Sequence, residues 1–487
     1  MELERRQPGQ GYKGKALRAS EKGHARGLLD LLSQGRIELT RGIDPGLRKR
    51  EAEVNARLSQ IQNFLVEERS DVRKERAPYI ETLKARLQEA AREQRDVEAE
   101  IQAKYPLYYQ LRYPSPLEPG DVQRLLPSPD SALLEYSLGE RGSYLFVVTA
   151  EGLTSYPLSL SMEAISTEVG RMALGFKSAG LPPFAYRQAA HKLYQTLVAP
   201  AWKALAGKHH LLIVPDGALS YLPFEALLTQ PGQGDPSGLR YLLYDFSVSY
   251  IPSASVLSSL SLQRPPIEAA GAAALRFVAF APDYGPAREQ AQGASFRGGS
   301  GDGPRELPEL AGAREEVQEI ARRYPPNMAK VYLGAEASKE NVEKNPLISD
   351  RIHFAGHGLT NDEHPEDSAL VMSDGLLRVS DIFNLELKAD LVVLSACHTA
   401  GKQVAGEGLV GLTRAFLYAG SPSVVVTLWQ VVDSSTSDLM QGFYADLDQT
   451  RDKAEALRQA KIRTIQRKGR LALPYYWAPF ILVGSPR

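Results

Sequence analysis

The chain has 487 residues, enough for two or three domains, and its 57 basic residues balance 58 acidic ones. That balance leaves no global field that would draw nucleic acid or an anionic membrane. A single cysteine excludes an internal disulfide framework, and no apolar run reaches the length of a membrane helix. The N-terminal Met-Glu-Leu-Glu-Arg-Arg-Gln has no signal-peptide core, so a cytoplasmic location is expected.

Residues 14–38 read as a helix with Ala16, Leu17, Ala25, Leu28, Leu29, Leu31 and Leu32 on one broad apolar face. Residues 46–104 are charged and nearly free of glycine and proline. Within them Val54, Leu58, Ile61 and Leu65, and then Ile80, Leu83, Leu87 and Ala90, step by three and four, as a heptad seam does. Pro78 breaks the run, so the expectation for 46–115 is two long helices in an antiparallel, coiled-coil-like hairpin, either a solvated structural element or a docking arm. Pro106, Pro114, Pro116 and Pro119 mark the linker that follows.

Residues 120–265 form a first α/β lobe. Leu133–Ser137, Tyr144–Thr149 and Leu153–Pro157 are short strands separated by glycine-containing turns. Helical stretches follow at about 161–176 and 184–206, and His210–Val214 is an apolar strand ending in Pro215-Asp216-Gly217. The lobe has no cysteine, and His191, His209 and His210 have no acidic or thiol neighbour in sequence, so it is expected to buttress the second lobe without taking part in chemistry.

Residues 270–487 alternate strand and helix, the pattern of a parallel sheet covered by helices on both faces. Strands are expected at 276–281, 329–333, 351–355, 391–396, 423–428 and 480–483, with helices between them and a hairpin at 368–379 overhanging the two central strands. Residues 283–306 are glycine-rich, but the Gly298–Gly303 run lacks the Lys-Ser/Thr ending of a phosphate loop and reads as surface loop, with Arg297 and Arg305 as candidate processing sites.

Two of these strands carry the reactive side chains. Arg-Ile-His-Phe-Ala-Gly-His-Gly (351–358) ends on His357, and Leu-Val-Val-Leu-Ser-Ala-Cys-His-Thr-Ala (391–400) presents Cys397, the one cysteine. A parallel sheet places chemistry beyond the carboxyl ends of its strands, so neighbouring strands would bring imidazole and thiol together. The 40 positions between them leave room for one hairpin and one helix, as adjacent parallel strands require.

These motifs, followed by Gly-Glu-Gly-Leu-Val-Gly-Leu-Thr-Arg-Ala-Phe (406–416), resemble the CHAT family, caspase-like cysteine peptidases of the separase clan that usually stand behind tetratricopeptide (TPR) repeats. Pro215-Asp216-Gly217 and Leu222-Pro223-Phe224-Glu225 resemble the family's first half. The stretch around Gly11-Tyr12, Ala16-Leu17 and Ala25–Leu29 is similar to the helix that closes a TPR array, so residues 1–45 are expected to be at most the last element of one. The resemblance implies a caspase-like α/β sheet flanked by helices, with a non-catalytic first lobe and an N-terminal helical hairpin.

The implied chemistry is endopeptidase action through an acyl-enzyme on Cys397, with His357 as base and the backbone N–H groups of Gly358 and Cys397 as oxyanion donors. Asp433 looks like the acidic residue that contacts a P1 arginine in separase; as an Asp ahead of Ser434, Ser435 and a helix it equally suits an N-cap region. Glu407 is either a second acid lining that pocket or a charge at a helix N-terminus. His353, mid-strand, is expected to be a packed core histidine. A zinc site from His353, His357, Cys397 and His398 matches no standard spacing, and neither metal nor cofactor is expected.

A protein substrate and a regulatory protein partner on the N-terminal helices are expected, with neither nucleic acid nor membrane. The competing readings are a CHAT-fold scaffold that docks partners without catalysis, and acyl transfer by the same dyad to an acceptor other than water.

Overall fold

The structure is a computed structural model. It describes residues 4, 9–34, 44–70, 77–105, 109, 117–177, 185–257, 275–284, 310–344, 347–361, 364–385, 387–395, 407–429 and 433–487; at 25–34, 65–70, 407–409, 433–434 and a few single positions it describes the backbone alone. Most of the proline-marked linker, the glycine-rich segment with Arg297 and Arg305, and Cys397 with His398 lie outside the described residues. The chain divides into two compact units, residues 38–115 and the remainder.

The smaller unit is an antiparallel helix pair, α2 (Pro45–Ser70) and α3 (Ala77–Lys104). Its seam buries Val54, Leu58, Ile61, Leu83 and Ala90, and a second cluster joins Leu47, Val97 and Ile101. The seam positions Leu65 and Ile80 fall where only backbone is described. Arg50 pairs with Glu100 at 3.0 Å and Arg57 with Glu93 at 2.7 Å, which fixes the antiparallel register. Both pairs are solvent-exposed and select register more than they stabilise.

The larger unit begins with α1 (Tyr12–Gln34). The helices after the linker are α4 (Pro119–Leu125), α5 (Met162–Lys177), α6 (Ala185–Leu197), α7 (Ala311–Ala321), α8 (Lys339–Lys344), α9 (Val379–Phe383), α10 (Glu407–Ala419), α11 (Asp433–Thr450), α12 (Lys453–Gln466) and α13 (Pro474–Trp477). The strands are β1 (Ser131–Ser137), β2 (Tyr144–Thr149), β3 (Gly152–Pro157), β4 (His210–Val214), β5 (Ser247–Tyr250), β6 (Leu275–Pro282), β7 (Ala329–Gly334), β8 (Leu347–Phe354), β9 (Gly358–Leu359), β10 (Ala369–Val371), β11 (Leu376–Arg378), β12 (Leu387–Lys388), β13 (Leu391–Leu394), β14 (Ser423–Thr427) and β15 (Phe480–Gly484).

One mostly parallel sheet runs β3-β2-β1-β4-β5-β15-β14-β13-β8-β6-β7, with β12 pairing β8 off that path; β11-β10-β9 form a second, three-stranded sheet. The central strands His-Leu-Leu-Ile-Val, Leu-Val-Val-Leu and Phe-Ile-Leu-Val-Gly are buried throughout, as strands covered on both faces must be.

The two halves of the sequence share this sheet. The repeating strand–helix pattern of the second half suggests parallel strands throughout, yet β15 runs antiparallel to β14 and parallel to β5. The reason is the connection. Between β14 and β15 the chain makes an antiparallel helix pair, with Arg463 of α12 on Asp446 of α11 and Arg467 on Asp438. Two long helices return the chain to the end of the sheet it left, where a single crossover helix would deliver it to the other. β15 thereby seams the first lobe to the second. The seam is reinforced by a buried pair, Lys461 of α12 on Glu225 at 2.7 Å, and Tyr250 Oη lies 2.6 Å from the other Glu225 oxygen.

Helix α1 packs on the first lobe. Leu17 is fully buried with Val122, Leu133, Phe146, Val148 and Leu212, so this part of the apolar face of α1 is covered by the first lobe. The rest of the face expected for it, Ala25 to Leu32, falls where only backbone is described.

Candidate active site

β8 and β13 are adjacent and parallel, with Phe354 opposite Leu394. The ladder continues as Ser395 N–H donates to the Phe354 carbonyl at 3.1 Å and Ala355 N–H to the Phe280 carbonyl at 2.9 Å. His357 follows Phe354 by three residues, at the carboxyl edge of the sheet; in sequence Cys397 follows Leu394 by the same three positions. The segment between the strands holds the β10–β11 hairpin and α9, the hairpin and helix that the spacing predicts.

His357 is 2 % exposed. Its backbone is held on both sides: the N–H donates to Tyr284 Oη at 3.0 Å, and the carbonyl accepts from Val371 N–H at 2.8 Å. The Tyr284 ring stands 4.7 Å from the imidazole, tilted by 43°. Tyr284 is buried beneath the hairpin with Leu359, Ala369, Val371 and Leu376. Gly356 makes this arrangement possible, because a Cβ there would sit 2.9 Å from Tyr284 Oη and 3.3 Å from the Pro282 ring. The glycine before the histidine is thus required by the tyrosine that holds it, a closer constraint than approach to substrate.

Gly358 faces Leu370 across the short β9–β10 ladder. With Val371 N–H bound to the His357 carbonyl, this is a non-hydrogen-bonded pair, so the Gly358 N–H is directed off the ladder on the open edge of the small sheet.

His353 sits within β8, fully buried, with Nδ1 3.0 Å from Tyr444 Oη and Nε2 2.9 Å from a Glu316 carboxylate oxygen. It is the packed core histidine that its mid-strand position suggests. His210 is also buried, between Ser247 and Ser249 at 3.0 Å each, and burial pushes its pKa down to about 4. His191 Nδ1 lies 2.9 Å from the Leu228 carbonyl.

β14 lies beside β13, with Val424 opposite Val392. Past its end, Trp429 is buried, donates from Nε1 to the Tyr475 carbonyl at 3.1 Å and stacks on Phe176. Asp433 is the first residue of α11, and Glu407 the first of α10. Both are placed by backbone alone, and Cys397 lies outside the described residues.

Sequence reasoning did not find Tyr284. It follows β6, the neighbour of β8, so the rule that points to the ends of strands β8 and β13 would also have pointed to Asp283-Tyr284.

A CHAT domain family model matches residues 187–485. The chain belongs to the CHAT-domain family. Tetratricopeptide repeat protein 28 of Mus musculus is 37 % identical over 110 residues, and its Homo sapiens counterpart 34 % over 110 residues. Those stretches are 23 % of this chain, which spans about 4 % of the length of either relative. Among solved structures, a Saccharomyces cerevisiae separase–securin complex aligns with a TM-score of 0.44 at 10 % identity, covering 83 % of this chain and 34 % of that one. A structure titled "Structure of Protease" aligns with a TM-score of 0.37 at 11 % identity, covering 62 % of this chain and 68 % of that one. Among the described residues, no helix of this CHAT protein is long and apolar enough to cross a membrane.

Proposed function

We propose that this chain is a caspase-like cysteine endopeptidase acting through Cys397 and His357. The observation that supports the reading is the register of β8 on β13, in which Phe354 lies opposite Leu394; in sequence His357 and Cys397 each follow that pair by three positions. A thiol is only a few per cent ionised at neutral pH and needs a base beside it. In the reaction, His357 takes the proton from Cys397 Sγ, and the thiolate adds to the scissile carbonyl. The oxyanion is received by the N–H groups of Gly358 and Cys397; the direction of the Gly358 N–H supports that role. His357 then returns the proton to the leaving amine, and water hydrolyses the thioester. Tyr284 positions the histidine through its backbone.

Asp433 follows β14 at the same sheet edge, which supports a basic P1 preference; Glu407, opening the helix that follows Cys397 in sequence, serves that pocket or the helix N-terminus. Regulation by a protein partner on the N-terminal helices is supported by Phe64 and Tyr79, which are half-exposed near the hairpin tip. The domain plan is a terminal repeat-like helix (1–45), a helical hairpin (46–115), a non-catalytic lobe (120–265) and a catalytic lobe (270–487).

The test is turnover of internally quenched peptides with Arg or Lys at P1. Cleavage abolished by Cys397→Ala and by His357→Ala, and slowed for basic P1 by Asp433→Ala, is expected. A wild-type chain that cleaves no peptide, and whose Cys397 alkylates no faster than free cysteine, would overturn the reading in favour of a scaffold.

A further inference from the structure

A second cluster of reactive groups lies in the first lobe, where α1 meets β1. Glu21, His24 and Glu135 converge there, with one potential ligand atom from each inside a sphere of mutual separation 4.8 Å. His24 Nδ1 stands 3.6 Å from Glu135 Oε1. Glu135 is fully buried beside the side chains of Glu21 and Ser20, and neither of its oxygens makes a hydrogen bond of ordinary geometry; nor does His24 Nδ1. A buried carboxylate with no donor is costly unless something else supplies positive charge.

Glu21 is oriented from behind. One of its oxygens accepts from Ala254 N–H at 2.8 Å, and the other from Ser255 N–H at 2.9 Å and Ser255 Oγ at 2.7 Å. Such outer contacts fix a ligating carboxylate in place. Burial pushes both carboxyls up to about 7, with the charge of Glu135 a further cause at Glu21. Burial holds the His24 pKa below its ordinary value. Arg414 lines a cavity with His24, and its Nε is buried without a partner.

We infer that Glu21, His24 and Glu135 bind a divalent transition ion of the zinc class, which fastens α1 to the first lobe. One imidazole and two carboxylates suit such an ion better than magnesium or calcium, which take oxygen ligands. Two ligands at about 2.0–2.1 Å in tetrahedral geometry stand about 3.4 Å apart, close to the His24–Glu135 separation. His24 also lines a cavity of about 220 Å³ with Asp216, Ser220, Thr413 and Arg414.

The test is calorimetric titration of the EDTA-stripped full chain with Zn2+, followed by metal analysis after gel filtration. It is run on wild type, Cys397→Ser, Glu135→Gln and His24→Gln. One zinc per chain in wild type and Cys397→Ser, with at least a tenfold weaker affinity in both Glu135→Gln and His24→Gln, is expected. The near-isosteric Glu135→Gln keeps the packing of β1, and His24→Gln tests the same site from α1. No stoichiometric zinc in wild type, or zinc lost with Cys397→Ser and kept in Glu135→Gln, would overturn the inference.

Discussion

Glu225→Ala should destabilise the larger unit by about 3–5 kcal/mol, the usual cost of stripping one partner from a buried ion pair. Glu225 and Lys461 are 3 % and 1 % exposed, and among the described residues Glu225 is the one ion-pair partner of Lys461. Desolvation already lowers the Lys461 pKa even with Glu225 in place. Without the carboxylate the ammonium must either stay buried alone or give up its proton. Tyr250 Oη also loses its acceptor at 2.6 Å, and it is this hydroxyl that receives the Phe224 N–H at 2.8 Å. At about 2.1 cal/mol/K of unfolding entropy per residue over roughly 400 residues, that loss lowers the melting temperature by about 4–6 °C. Differential scanning calorimetry at a fixed scan rate reads the shift. Glu225→Leu combined with Lys461→Met should recover most of it, because a well-packed apolar pair replaces a buried ionic one at little cost. A single variant that melts within 1 °C of wild type, or a double variant that melts no higher than the single, would refute the argument that this pair fastens the first lobe to α12.

Tyr284→Phe removes the acceptor for His357 N–H and should lower kcat about tenfold with little change in KM, matching the ~1–1.5 kcal/mol of one hydrogen bond; an unchanged kcat would mean that the backbone of His357 is held by the Val371 contact alone. Gly420 has φ +122, and a Cβ there would stand 2.3 Å from the Leu387 carbonyl oxygen, so Gly420→Ala should cost at least about 2 kcal/mol in denaturant unfolding. In EDTA, the raised pKa values of Glu21 and Glu135 favour the folded state below pH ~4.5, and that contribution disappears as pH climbs through about 7. His24, held low by burial, acts in the opposite sense, with its contribution lost as pH falls. Glu135→Gln removes that carboxyl and relieves Glu21 of its charge, so the variant should gain on wild type as pH climbs from about 4.5 through about 7, and a flat difference would contradict it.

What could be read from the sequence was whatever local pattern dictates. The strands β8, β13 and β14 each contain a short apolar run, and the adjacency of β8 and β13 followed from the spacing of His357 and Cys397. The helical pair in 45–104 followed from a seam of Val54, Leu58, Ile61, Leu83 and Ala90 that needs no long-range information. Long-range features were not legible. The antiparallel direction of β15 depends on how α11 and α12 pack, which no window of sequence contains. Glu225 and Lys461 meet across more than 200 positions, and Glu21 meets Ser255 across 234. Tyr284 escaped for another reason: a tyrosine after a strand reads as ordinary core, and only the Gly356 contact reveals its hold on the histidine.

The central claim is an activated thiolate at Cys397. Intact-mass analysis after exposure to an electrophilic peptide probe with Lys or Arg at P1 tests it most directly. One adduct per chain is predicted, mapped to Cys397, absent in Cys397→Ala and formed at least 100-fold more slowly in His357→Ala, as loss of a general base requires. Labelling that proceeds at the same rate without His357, or no adduct at all on the folded wild-type chain, would contradict it.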